Sequence, residues 1–158
     1  MDLLQYSKNF RSQNGEDGII KKIFEIIGEP EDKYFVEFGA WDGEYLSNSY
    51  NLMKNYDWAG CYIEGDNDKY EKLKEKYQAN NKITCINAFV ESGKGEQSLT
   101  KLLQNAKVEK DFDVLSIDID GNDYEVWRDL ENFDPTLVII EYNQTIPPNV
   151  EFIDTKGE

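Results

Sequence analysis

Residues 34–43, YFVEFGAWDG, decide how the rest of the chain is read. Tyr34–Phe38 is a short apolar run with glycines behind it, which is the pattern of a buried strand. Gly39 and Gly43 frame a tight turn where a ligand can approach the backbone. Their spacing is not GxGxxG, so the fingerprint for a dinucleotide phosphate fails. Two carboxylates stand there instead, Glu37 within the strand and Asp42 in the turn. Both would repel a pyrophosphate and attract a cationic ligand. The alternative is a solvated turn, with Glu37 paired to a lysine.

Working outward, the chain alternates helix and strand. Upstream, Asn14 reads as a helix N-cap with Asp17 in an acidic first turn. Ile19, Ile20, Ile23, Phe24 and Ile27 recur at helical spacing until Gly28 and Pro30. Downstream, a weakly helical stretch is expected near 47–55, then a strand over 59–64 and a helix over 66–79. A third strand is expected over 82–87, with a helix marked by Leu99, Leu102, Leu103 and Ala106. A fourth strand over 112–117, a helix over 123–130 and a fifth strand over 137–142 follow. Such alternation implies parallel βαβ units with right-handed crossovers. Ligands of these folds sit beyond the carboxyl ends of the strands, at the switch in strand order.

Acidic residues stand at those ends. The second strand closes on YIEGD (62–66), and Glu64 is placed to grip a ribose diol through charge-assisted hydrogen bonds. Gly65 follows it. With the acids of the first turn, this suggests a nucleoside bearing positive charge in place of phosphate, a description that S-adenosylmethionine meets. After the third strand, INAFVE (86–91) offers Ala88 and Phe89 to an adenine ring, although Phe89 could equally be core. The fourth strand leads into Asp118, Asp120 and Asp123 beside Gly121. Asp118 and Asp120 share a face if the strand extends that far. Glu141 and Asn143 close the fifth strand. Oxygen ligands from neighbouring strand ends suit Mg²⁺, so Asp118, Glu141 and Asn143, with Asp120 a further candidate, form a candidate metal group.

Composition narrows the function classes. The chain has 158 residues, enough for one core that buries roughly 70% of the unfolded surface. Its net charge of −15, from 32 acidic and 17 basic residues, disfavours nucleic acid and anionic membranes as partners. No histidine is present, which excludes Ser/His and Cys/His nucleophile pairs. Cys61 and Cys85 lie in apolar, strand-like surroundings and read as reduced core residues of a cytoplasmic protein. The longest apolar run is too short to span a bilayer.

Together these stretches resemble the class I S-adenosylmethionine-dependent methyltransferases of the FkbM-like branch. The carriers are SQNGEDGII (12–20), VEFGAWDG (36–43) with the following Ser47–Asn48, YIEGD, INAFVE and LSIDIDGNDYEVW (115–127). Trp41 stands where the general class pattern has a middle glycine. The resemblance implies one domain over 1–158, a Rossmann-like three-layer sandwich with a mostly parallel sheet of about five strands ordered 3-2-1-4-5. The antiparallel hairpin that usually ends the class sheet is not legible. The implied activity is S-adenosylmethionine-dependent O-methylation of a sugar or other small hydroxyl acceptor. Glu37, Gly39, Ala40, Asp42, Gly43, Asn48, Glu64, Gly65, Ala88, Phe89 and Asp118 are the expected cofactor residues. Asp118 and Asp120 are the expected catalytic pair. The alternatives are a nucleoside-binding or assembly module without catalysis, and self-association through an open sheet edge.

Overall fold

The computed structural model describes residues 1–119, 121–142, 145–147 and 149–150. Strand β1 (Tyr34–Phe38) lies at the centre of a five-stranded parallel sheet. Around it are β2 (Ala59–Glu64), β3 (Ile83–Asn87), β4 (Val114–Ile117) and β5 (Leu137–Ile140), in the order β3-β2-β1-β4-β5. The expected α/β class and strand order are therefore present. The order reverses between β1 and β4, which places the switch point at the end of YFVEF.

Two-residue alternation divides β1 between two cores. Phe35 faces one layer with α1 (Glu16–Ile27), α2 (Tyr50–Tyr56) and α3 (Asn67–Tyr77), through Ile20, Phe24, Leu52 and Leu73. Val36 and Phe38 face the other, with α4 (Leu99–Asn105) and α5 (Asp123–Arg128), through Leu102, Leu103 and Val126. Trp58, Phe35, Tyr62 and Phe112 are fully buried, each stabilising by roughly 2–3 kcal/mol. Cys61 is buried and Cys85 half-buried, and both are free thiols. Burial pushes them up to about 12 and about 11, so both stay protonated at neutral pH.

Several local expectations are corrected. The cap of α1 is Gly15 at φ +100°, not Asn14. Asp17 does more than face the helix dipole. Its Oδ2 accepts from the backbone N–H groups of Phe10, Arg11 and Ser12, and from the Ser12 hydroxyl. The carboxylate thus folds the preceding loop onto the helix start. Helix α2 begins only at Tyr50, because Ser47–Ser49 are drawn into contacts with the sheet. Strand β4 stops at Ile117, so the period-two argument for Asp118 and Asp120 loses its strand. Asp120 and Asn143 lie outside the described residues. No helix among the described residues is long and apolar enough to cross a membrane.

Candidate functional site

A cleft of about 760 Å³ opens beyond the carboxyl ends of the strands, over the switch point. That volume lies within the range of small-molecule and cofactor pockets. At the β2–β3 end it is lined by Glu64, Gly65, Asp66, Lys69, Ala88, Phe89, Val90 and Glu91. At the β1–β4–β5 end it is lined by Glu37, Gly39, Ala40, Asp118, Ile119, Gly121 and Glu141. Gln13, Trp41, Tyr45 and Leu46 complete the wall.

Glu64 ends β2 and is buried. Its Oε2 accepts from the Trp41 backbone N–H at 2.7 Å, and its Oε1 from that of Asp66 at 2.8 Å. Each oxygen has a second lone pair, so a fixed carboxylate can still receive two further donors. Gly65 is required beside it, because a Cβ there would collide with the Phe89 ring. Phe89 is 71% exposed, which settles its two readings against the core. It packs over Gly65 and turns an apolar ring toward the cleft.

Glu37 has a different role from the one expected. It is buried, and among the described residues no lysine reaches it. Its Oε2 accepts from the hydroxyls of Ser47 and Ser49 and from the Ser49 N–H, and its Oε1 from the Asn48 backbone N–H at 3.0 Å. Asn48 in turn donates from Nδ2 to the Ser116 hydroxyl on β4. The Ser47–Asn48 pair is therefore the clamp through which Glu37 seats the β1–α2 segment across the sheet. Burial raises the Glu37 pKa, and the four donors only partly offset that. Neither Asn48 nor Asp42 borders the cleft. Asp42 is turned to Lys76 at 2.6 Å and accepts from the backbone of Glu44 and Tyr45. Burial would raise its pKa, but these partners outweigh it and hold the carboxyl low.

Gly39 adopts φ +74°, and any Cβ there would strike the Asp118 carbonyl oxygen where β1 passes β4. Gly43 likewise lies away from the cleft, against α3. A Cβ on it would fall 2.6 Å from Tyr77 Cε2. Trp41, in place of a glycine, still takes the left-handed conformation, at φ +52°. Such a conformation costs a non-glycine residue about 1 kcal/mol. The Trp41–Glu64 hydrogen bond offsets it, together with Lys69 Nζ 3.9 Å above the indole and the Tyr45 ring 5.0 Å away.

Asp118 and Glu141 both border the cleft, but among the described residues no group of three or more acidic or sulfur ligands could hold a metal ion. Asp120 and Asn143, the other members of the expected Mg²⁺ group, lie outside the described residues. Asp123 is a structural residue: its carboxylate accepts from the N–H groups of Ile119 and Gly121 and shapes the turn after β4. The sequence reading missed Gln13, Trp41, Tyr45 and Lys69 as lining residues. Gln13 lay within SQNGEDG, but nothing local says that a residue before a helix will reach a cleft formed by five strands.

Residues 96–156 match the family model of the methyltransferase FkbM domain. The matched stretch contains the LSIDIDGNDYEVW motif and not the motifs at 12–20, 36–43, 62–66 and 86–91. No curated protein sequence matches the chain. Among solved structures, the chain is similar to the glycopeptide N-methyltransferase MtfA complexed with (S)-adenosyl-L-methionine, at 12% identity and a TM-score of 0.40. That likeness covers 70% of this chain and 45% of the other, so this chain spans under half the length of that relative.

Proposed function

We propose that this FkbM-like chain is an S-adenosylmethionine-dependent methyltransferase domain, acting on a hydroxyl of a sugar or another small molecule. The observation that carries the reading is Glu64, a carboxylate locked by two backbone N–H groups with lone pairs left for a ribose diol. The donor set around it fits the same cofactor. Among the described residues, Glu37, Glu64, Asp66, Glu91, Asp118 and Glu141 line the cleft against one ammonium, Lys69. That balance suits a cationic nucleoside and opposes a phosphorylated one.

In this reading Glu64 holds the ribose, and the exposed Phe89 face over Gly65 receives the adenine. When bound, S-adenosylmethionine supplies an electrophilic methyl group, and its transfer leaves a neutral thioether. Asp118, exposed at the end of β4 and bordering the cleft, receives the acceptor hydroxyl proton, a task for which the chain has no histidine. The remaining contribution of the protein is to hold acceptor and methyl group in near-attack geometry. The match of residues 96–156 to the methyltransferase FkbM domain supports this assignment for the β4 end.

Calorimetric titration with S-adenosylhomocysteine tests it. Binding in the micromolar range is expected, roughly −7 to −8 kcal/mol. Glu64→Ala should weaken it about 100-fold, the loss of two charge-assisted hydrogen bonds. Folded wild-type protein that binds neither S-adenosylmethionine nor S-adenosylhomocysteine would overturn the reading.

A further inference from the structure

The SQNGEDG motif is not accounted for by the nucleoside contacts, and its geometry is unusual. Ser12 and Asp17 bond each other in both directions, since Ser12 Oγ donates to Asp17 Oδ2 and the Asp17 N–H donates to Ser12 Oγ. With the backbone bonds from Phe10, Arg11 and Ser12, this latch fixes the loop before α1. Two further ties hold the loop to the β1–α2 segment. Arg11 pairs with Glu44 at 2.9 Å, and the Phe10 ring stacks on Tyr50 at 6.2 Å. Gln13 is the residue this loop delivers to the cleft, and among the described residues its carboxamide has no hydrogen-bond partner. These bonds fix the loop so that the exposed Gln13 amide stands at the cleft with its donors open to a bound group.

Charge decides what that ligand group is. The amino-acid end of S-adenosylmethionine brings an α-carboxylate into a cleft lined by six carboxylates. Lys69 is held over Trp41 beside Asp66, next to the Glu64 end. The carboxylate is best received by a neutral donor, and Gln13 is one, on a loop tied to the β1–α2 segment. We propose that Gln13 is a binding residue for the α-carboxylate of the cofactor, positioned by the Ser12–Asp17 latch. This rests on the cleft being an S-adenosylmethionine site. A neutral amide accepts the anion without neutralising the acidic field that favours the sulfonium.

The test compares S-adenosylhomocysteine with 5′-methylthioadenosine, which keeps the nucleoside and thioether but lacks the amino-acid end. Gln13→Ala should weaken S-adenosylhomocysteine about ten-fold and leave methylthioadenosine unchanged. Gln13→Glu, isosteric but anionic, should weaken S-adenosylhomocysteine more than Gln13→Ala does and again spare methylthioadenosine. Ser12→Ala, which loosens the latch without touching the cleft, should reproduce part of the selective loss. If both ligands weaken equally in the Gln13 variants, the loop only supports the fold and the proposal fails. Unchanged affinity for S-adenosylhomocysteine also overturns it. Wild-type protein that binds neither compound would instead sink the underlying cofactor reading.

Discussion

The carboxyl ends of β1 and β2 look alike in sequence, each an apolar strand closing on glutamate near a glycine, yet they use their acids in opposite ways. Glu37 and Glu64 are equally buried, at 6% exposure each. Glu37 receives four donors, two hydroxyls and two backbone N–H groups of residues 47–49, three of them on Oε2. Glu64 receives one N–H per oxygen and keeps capacity on the cleft side. The first acid builds the loop that walls the cleft, and the second is the proposed ribose-binding group. The fewer donors the following segment supplies, the more lone pairs a strand-end acid keeps for a ligand.

If that contrast is right, damage at the two ends should separate into stability and affinity. The largest stability effect is expected at β1. Glu37→Gln places an amide NH₂ against donors and should cost about 1–3 kcal/mol in urea denaturation, with a smaller loss of S-adenosylhomocysteine affinity than Glu64→Ala. The pH dependence has a definite sign. The folded pKa of Glu37 is raised, so its contribution is fully present below the ordinary glutamate range and lost as pH rises through the folded value. The stability gap between wild type and Glu37→Gln should therefore widen toward acid. A gap that narrows toward acid would mean that Glu37 is a stabilised anion, as its donors alone would suggest.

Ser47→Ala should cost about 1 kcal/mol, since it removes one of the two hydroxyls and leaves the other. Thermal unfolding of the single variant and of Ser47→Ala with Glu37→Gln would show whether the effects are shared, as a clamp requires. The smallest effect is expected at Asp42, whose ion pair with Lys76 is partly solvated. Asp42→Asn should cost less than about 1 kcal/mol and leave ligand affinity intact. Its folded pKa is lowered, so its contribution is present above the ordinary aspartate range and lost as pH falls. Two carboxylates five residues apart should thus show opposite pH trends. A marked loss of affinity in Asp42→Asn would return Asp42 to the cleft.

Much of the scaffold was legible because its signals are local. Short apolar runs set between helical spacings gave the five strands, with β1 and β2 at their observed limits. The cap at Asp66 was missed as a cap but fell at the expected helix start, where its side chain accepts from Asp68 and Lys69. Errors collect where a side chain competes with the local pattern. Asn14 lost the cap position because Asp17 folded the loop over it, and Ser47–Ser49 left α2 because Glu37 needed their donors.

By itself, the sequence determined the alternating architecture, the exclusion of histidine chemistry and the acidic character of the strand ends. These follow from residue type and periodicity. Only the tertiary structure decided which acids face the cleft. Glu64, Asp118 and Glu141 do so, whereas Asp42 turns to Lys76. It also brought Gln13 from the N-terminal loop to the same cleft. The physical reason is that a carboxylate or amide goes wherever its hydrogen bonds are met. The long-range partners of Glu37, Asp42 and Asn48 include residues 10, 34 and 68 positions away, separations that local sequence patterns do not encode.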